Sequence, residues 1–529
     1  MLGQMMDFQL TIPAIVRRAE SLFGAREIVS RRADGTLHRS SYAECLERSR
    51  RLGNALLQLG LTPGSRVATL CWNHHRHLEA YFGVPSAGLV LHPLNLRLPV
   101  ADLAYILQHA GDEALLVDED LLPRLEGLPE SAALKHVVVC RDAVPIGRAG
   151  DTLDYEELIR SVPASDHRDD PDEGSAAAMG YTSGTTGNPK GVVYSHRAMV
   201  LHSLACALPD GFGLGESDVV LAAVPMFHAN SWGLPFTAAM VGAAQVLPRN
   251  AFDARTLLAL LTGERVTFSA GVPTIWLGLA QQIEQAATQP DLSALRTIVV
   301  GGGACPPSLI QYFEESLGLT VVTSWGMTEL TPVGTIGRKR TSRKESYSER
   351  ARPGRPLPLV EARVSKDGRV ADRDGRTMGE LQVRGPWVAA GYHGDSINDG
   401  ITEDGWFRTG DIATIDPDGV IEIRDRAKDL IKSGGEWISS VALENGLLGH
   451  PAVSEAAVIA IPHPRWQERP LAIVKLREGS TVEAGELLEH LKGQFPDWYL
   501  PDRIVFTDGI PRTGTGKILK QALREKYGY

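Results

Sequence analysis

Short apolar runs alternate with helix-spaced stretches along the first part of the chain, and this alternation limits the possible folds more than any other feature. Runs at 67–71, 89–91, 114–117 and 136–140 read as strands, while 75–82, 101–107 and 121–128 carry helical spacing. That order predicts a mostly parallel sheet covered by helices, because parallel neighbours need a crossover connection. The rhythm resumes at 191–194, 219–224, 297–300 and 320–323, enough for a second sheet of the same kind. An opening helix is expected over 11–24, with Thr11 as its cap and Pro13 in the first turn.

Residues 355–425 change character, with Gly, Asp and short alternating stretches at 381–384 and 420–424. They predict an antiparallel, barrel-like subdomain. The remainder reads as a small α+β unit. Its strands at 456–461 and 470–476 pair, and Ser480 and Glu483 form a capping box for a helix ending near Leu491. The stretch 337–352 is charged and predicts a mobile, solvated loop. The expected fold class is therefore α/β, with a large N-terminal domain over 1–425 and a small mobile C-terminal domain over 426–529. The N-terminal domain would hold two helix-covered sheets and the barrel-like piece. The polar run Arg426, Ala427, Lys428 and Asp429 suits the boundary.

Composition removes several function classes. With 529 residues the chain has room for several cores. Acidic residues outnumber basic ones, 64 to 54, which argues against a general nucleic-acid binder with a clustered basic face. The five cysteines, Cys45, Cys71, Cys140, Cys206 and Cys305, are scattered without a CxxC or His/Cys cluster. That argues against a disulfide framework and structural zinc, and fits a reducing compartment. The first residues lack the layout of a signal peptide, and no apolar run approaches the ~18 residues of a membrane span. A cytoplasmic location is expected.

The richest chemistry lies at 181–191. Tyr181 is followed by Thr182, Ser183, Gly184, Thr185, Thr186, Gly187, Asn188, Pro189, Lys190 and Gly191. Glycines let the backbone approach an anion, and successive N–H groups can form a nest around it. Hydroxyls and the Lys190 charge add further partners. Only two residues separate Gly184 from Gly187, so this is not a Walker A loop. A Ser/Thr/Gly surface turn is the plainer reading of a bare GxxG, but the full string favours a polyphosphate cradle.

This string resembles the signature loop of the adenylate-forming acyl-activating enzymes. Further motifs follow in that family's order: Ser324-Trp325-Gly326-Met327-Thr328-Glu329, Arg408-Thr409-Gly410-Asp411, Asp425-Arg426-Ala427-Lys428-Asp429, Lys432-Ser433-Gly434-Gly435-Glu436-Trp437, and Pro511-Arg512-Thr513-Gly514-Thr515-Gly516-Lys517. Within the family, residues 224–235 and 431–445 look most like bacterial medium- and long-chain fatty acyl-CoA synthetases. The resemblance implies that a carboxylate attacks the α-phosphate of ATP to give an acyl adenylate and pyrophosphate. The thiol of coenzyme A then displaces AMP.

The same resemblance implies roles for residues. Lys517 is the expected catalytic lysine of adenylation, and Glu329 the Mg²⁺ ligand with Thr185 assisting. Trp325 would lie against adenine, with Gly302, Gly303 and Ala304 as the opposite wall and Thr323, Ser324, Gly326, Met327, Thr328 and Ile423 alongside. Asp411 and Arg426 would hold the ribose, and Lys428 would mark the hinge. Lys432, Gly434, Gly435, Glu436 and Trp437 would line the path of the coenzyme A arm. His228 would sit beside the carboxylate, and Trp232 would gate an apolar tail tunnel. Each of these has a bland reading as turn, core or surface residue. The expected co-substrates and cofactors are ATP, Mg²⁺ and coenzyme A, and a homodimer stays open. The preferred acid is expected to be a medium- to long-chain fatty acid. Cyclic, arylalkyl and thioether acids, loading of a carrier protein, plain ATP hydrolysis and luciferase-type oxidation remain as alternatives.

Overall fold

The expected alternation resolves into two helix-covered sheets in the computed structural model. The structure describes residues 3–128, 134–142, 152–165, 170–182, 188–340, 343–394, 400–434, 436–512 and 518–528. The first sheet has seven strands. Its order is Leu153–Asp154, His136–Cys140, Asp112–Asp118, Arg66–Leu70, Val90–Pro93, Ala176–Tyr181 and Gly191–Ser195, with only the last pair antiparallel. Helices His75–Ser86 and Val100–Ala110 provide the crossovers. The second sheet has nine strands, parallel from Glu27–Arg31 through Thr320–Gly326 and antiparallel at both edges. Its strands are short and buried on both faces, which is why they read as unbroken apolar runs.

Packing between the elements follows from those runs. The helix Ile12–Phe23 buries Ile12, Ile15, Val16, Ala19 and Phe23 at helical spacing. Thr11 does not cap it through its side chain, which instead reaches Asp170 at 3.5 Å. Trp276 is fully buried, and its indole N–H is shared between the carbonyls of Gly271 at 3.2 Å and Val299 at 3.0 Å. Truncating so large a buried side chain costs about 3–5 kcal/mol.

The third sheet is antiparallel, in the order Arg369–Val370, Glu361–Lys366, Gly379–Arg384, Phe407–Ile415 and Ile421–Arg426. Among the described residues its outer strands do not pair with each other, so the barrel-like piece is an open sheet. The fourth sheet holds the expected pair, Val453–His463 against Gln467–Leu476, with Ile431–Ser433, Glu436–Ile438 and Arg503–Phe506 added. The chain thus consists of a large N-terminal portion and a small C-terminal α+β portion.

Three local expectations need correction. The helix expected at 121–128 is the 3₁₀ turn Glu119–Leu125, because Pro123 removes a backbone donor there. The capping box at Ser480 and Glu483 does not form; Glu483 precedes helix Ala484–Lys492 without a side-chain bond. The charged stretch 337–352 is not a solvated loop throughout. It contains helix Tyr347–Arg350, and buried Arg350 binds the Glu314 carboxylate at 2.8 and 3.1 Å and the Val321 carbonyl at 2.7 Å. The cysteines are free and buried, but folding gathers Cys71 with His74 and Asp118, where His74 Nε2 lies 2.6 Å from the carboxylate. Among the described residues no helix is long and apolar enough to cross a membrane.

Candidate active site

The first three sheets and the C-terminal helix Lys520–Tyr527 converge on one cavity of about 770 Å³. Its walls come from the ends of parallel strands, where open α/β sheets place their ligand sites.

The glycine-rich loop hangs from two strands of the first sheet. Tyr181 ends one strand and Gly191 opens the other, and the two are register partners. Thr182 N–H closes the loop on the Lys190 carbonyl at 2.9 Å. A side chain at Gly191 would put a Cβ 3.0 Å from the Tyr181 ring and 3.1 Å from His393 Cβ, so glycine is needed there. The Tyr181 hydroxyl lies 2.7 Å from His109 Nδ1. Thr182, Asn188 and Lys190 line the cavity, with Lys190 Nζ 4.6 Å from the centre of the Tyr392 ring. Ser183, Gly184, Thr185, Thr186 and Gly187 lie outside the described residues.

Glu329 sits in the short turn Thr328–Leu330 on the same wall and is buried. Tyr392 donates to its Oε1 at 2.7 Å, and its carbonyl accepts from Ala389 N–H at 2.7 Å. Tyr194 donates to the neighbouring Thr328 carbonyl at 2.9 Å. Burial pushes the Tyr194 phenol up, and the nearby Glu329 charge adds to this. A buried carboxylate that lines the same cavity as a lysine fits a hard divalent cation bound to phosphate, and the residues present match that pairing.

Asp411 and Arg426, the pair expected at the ribose, are in contact. Asp411 is buried at the side of the third sheet, and Arg426 on the next strand pairs with its Oδ1 at 2.8 Å. Trp325 donates its indole N–H to Oδ2, also at 2.8 Å. Arg426 further binds the Thr409 carbonyl at 3.2 Å. Part of the set expected around the nucleotide reaches the cavity. Gly302, Ser324, Gly326, Met327, Thr328 and Arg426 line the cavity, whereas Gly303, Ala304, Thr323, Trp325, Asp411 and Ile423 are not on its wall. Thr323 is turned away, its hydroxyl donating to the Arg352 carbonyl at 2.6 Å.

Trp232 reaches the cavity through an unusual backbone. Ala229, Asn230, Ser231 and Trp232 have φ of 43°, 52°, 51° and 56°, the left-handed region that side-chain-bearing residues avoid. Each such residue costs roughly 1–2 kcal/mol, so strain is concentrated at this wall. The reward is contact: a Cβ on Gly301 would lie 3.0 Å from the Trp232 ring. His228 lines the cavity just before this turn, with its backbone N–H on the Pro225 carbonyl at 3.0 Å. Phe227, Leu94, Leu98 and Ile106 supply apolar wall.

The C-terminal portion contributes unevenly. Lys428 lines the cavity, and burial lowers the pKa of its ammonium. Lys517 is outside the described residues, but Ile518, Leu519, Lys520, Gln521 and Arg524 line the cavity directly after it in sequence. The residues assigned to the coenzyme A arm do not. Lys432, Gly434, Glu436 and Trp437 lie on the hairpin Ile431–Ser433 and Glu436–Ile438, exposed and away from the cavity wall, and Gly435 is not described. Sequence reasoning missed Tyr392 and Lys520, which sit outside the motifs used, and gave no role to Arg408, a cavity residue inside a quoted motif.

Comparison with known proteins agrees with this geometry. Residues 17–393 match the AMP-binding enzyme family and 442–517 match its C-terminal domain. A long-chain-fatty-acid–CoA ligase of Thermus thermophilus is 52% identical, covering 99% of this chain and 96% of that protein. A 3-methylmercaptopropionyl-CoA ligase of Ruegeria pomeroyi is 44% identical over 100% of this chain and 99% of that protein. Among solved structures, the anthranilate CoA ligase AuaEII in complex with anthranoyl-AMP superposes with a TM-score of 0.88 at 25% identity, covering 99% and 98% of the two chains. The chain is therefore a member of the AMP-binding, adenylate-forming enzyme family.

Proposed function

We propose that this protein is an ATP-dependent acyl-CoA synthetase that activates medium- to long-chain fatty acids. The supporting observation is one cavity lined by Lys190 of the glycine-rich loop, by Glu329, by Trp232 and by Arg426, with Asp411 just behind the wall and paired to Arg426. In this reading Asp411 and Arg426 orient the ribose, and Lys190 faces the phosphates. Glu329 and Thr185 would hold Mg²⁺, which supplies charge neutralisation on the phosphates when bound. Lys517 would place its ammonium between the carboxylate and the α-phosphate, drawing charge off the attacked phosphorus. His228 would flank the acyl carbonyl, and Trp232 would border the tail.

The hairpin bearing Lys432, Gly434, Gly435, Glu436 and Trp437 lies off the cavity. The reading therefore assigns the described arrangement to adenylation. Thioester formation would require the portion after Lys428 to turn and present that hairpin, a gating step. The domain boundary would fall at 425–426 and the location would be the cytoplasm. A thioether acid is the second reading, favoured by the Ruegeria pomeroyi relative.

The test is mass detection of acyl-CoA from ATP, Mg²⁺ and coenzyme A over acids from acetate to palmitate, with cyclic, aromatic and thioether members. Thioesters of medium and long chains support the first reading. Product from 3-methylmercaptopropionate alone supports the second. ATP hydrolysis without any acid requirement overturns both.

A further inference from the structure

We propose that Lys520 is a positioning residue for the adenylation step, fixed by a chain of polar contacts that begins beside the ribose site. The inference rests on the reading of Lys517 as the adenylation lysine, three positions earlier in sequence.

The strand Ile421–Arg426 ends on two residues with different partners. Arg426 binds Asp411 at 2.8 Å. Its neighbour Asp425 is 1% exposed and grips the start of helix Ser440–Leu448, its Oδ2 accepting both the N–H and the Oγ–H of Ser440 at 2.6 Å. The same Ser440 hydroxyl accepts from Lys520 Nζ at 2.5 Å. Donating once and accepting once is within a hydroxyl's capacity. Lys520 Nζ also pairs with Glu444 Oε1 at 2.8 Å, and that oxygen accepts from Val458 N–H at 2.8 Å. Asp425, Ser440, Lys520 and Glu444 therefore form one continuous polar chain, buried at Asp425 and Ser440 and partly buried at Lys520 and Glu444. It ties the last strand of the third sheet to the helix Lys520–Tyr527.

The electrostatics explain why this is a device for placement. Burial raises the pKa of the Asp425 and Glu444 carboxyls, and Lys520 opposes both shifts. Desolvating three ionisable groups gains little stability over an apolar core of equal volume, so stability alone does not account for the cluster. What it does provide is a single geometry, since the contacts are short, directional and interdependent. A second clamp lies one helical turn on, where Arg524 pairs with Asp429. Between the clamps, Lys520, Gln521 and Arg524 line the cavity with Lys190 and Glu329. Misplacing a reacting group by about 1 Å can cost on the order of a hundredfold in rate. The segment that follows Lys517 is held against such drift by Lys520.

Two half-reactions, measured separately on the full-length chain, test this. One is decanoate-dependent ATP–pyrophosphate exchange, and the other is decanoyl-CoA formation from supplied decanoyl adenylate. Asp425→Asn and Lys520→Met are expected to slow exchange about tenfold or more, as for loss of a charge-assisted hydrogen bond. Thioester formation should stay within about twofold. Lys520→Arg should restore most of the exchange rate. Ser440→Ala, which removes only the bridging hydroxyl, serves if the charge variants fail to fold, and should show the same bias. Equal loss of both half-reactions, or unchanged exchange in folded variants, overturns the proposal. Failure of the wild-type protein to exchange with any acid would instead overturn the functional reading on which it rests.

Discussion

Trp325 donates its indole N–H to one oxygen of Asp411 at 2.8 Å, while Arg426 holds the other at the same distance. The carboxylate is thus clamped from two sheets at once, since Trp325 belongs to the second and Asp411 and Arg426 to the third. Trp325→Phe keeps the ring and deletes the donor. Losing a hydrogen bond to a charged group costs about 1.5–3 kcal/mol, so the KM for ATP should rise roughly tenfold with kcat little changed. Steady-state pyrophosphate release against ATP concentration checks this, and an unchanged KM would show that Trp325 only packs.

Glu329 and Tyr392 form the second testable pair. Glu329→Gln removes the negative charge while keeping the shape, and should move the Mg²⁺ requirement up by about tenfold or more. Tyr392→Phe removes the 2.7 Å hydrogen bond and frees the carboxylate to turn, which should shift the same midpoint by less. Mg²⁺ titrations of pyrophosphate exchange give both numbers. If the two variants leave the midpoint where it is, Glu329 is not at the metal site.

How much of this was legible in the sequence depended on the range of the interaction. The parallel strands were readable because burial on both faces writes a continuous apolar run, as at Thr297–Val300. Asp411 and Arg426 were legible because each carries its chemistry inside a local motif. Tyr392 was not, since its value comes from meeting Glu329, 63 positions away. Lys520 looked like one more basic residue on a terminal helix; only the fold brings it against Glu444. Nor could the sequence announce the left-handed turn at 229–232, because only Asn230 among those four residues commonly tolerates that conformation.

Acid sensitivity should trace in part to His202. Its ring is buried beneath the Trp232 turn and accepts from Val333 N–H at 3.2 Å. Burial pushes its pKa down to about 3, from an ordinary value near 6.5. Between those values the unfolded chain binds a proton that the folded chain refuses. The contribution is therefore complete above about pH 6.5 and drains as pH falls toward 3, at no more than roughly 1.4 kcal/mol per unit. His202→Gln keeps an acceptor for Val333 but does not titrate. Urea unfolding at pH 7, 6 and 5 should show the stability gap between wild type and variant shrinking with acidification. A gap independent of pH would mean that His202 takes its proton equally well in both states.

Gly434 offers a test of the proposed coenzyme A face that leaves the cavity untouched. Its φ of +60° lies in the left-handed region, and an added Cβ would sit 2.8 Å from the ring of Trp466. Its N–H also donates to the Trp466 carbonyl at 2.9 Å, so the two segments are fixed against each other. Alanine must therefore displace the half-exposed tryptophan or distort the hairpin that carries Lys432 and Trp437. Neither change reaches the wall shared by Lys190, Glu329 and Arg426. Gly434→Ala should slow thioester formation from supplied adenylate by about tenfold or more while leaving pyrophosphate exchange within about twofold. The opposite bias, with exchange lost and thioester formation retained, would place this hairpin in adenylation and require a different route for the thiol.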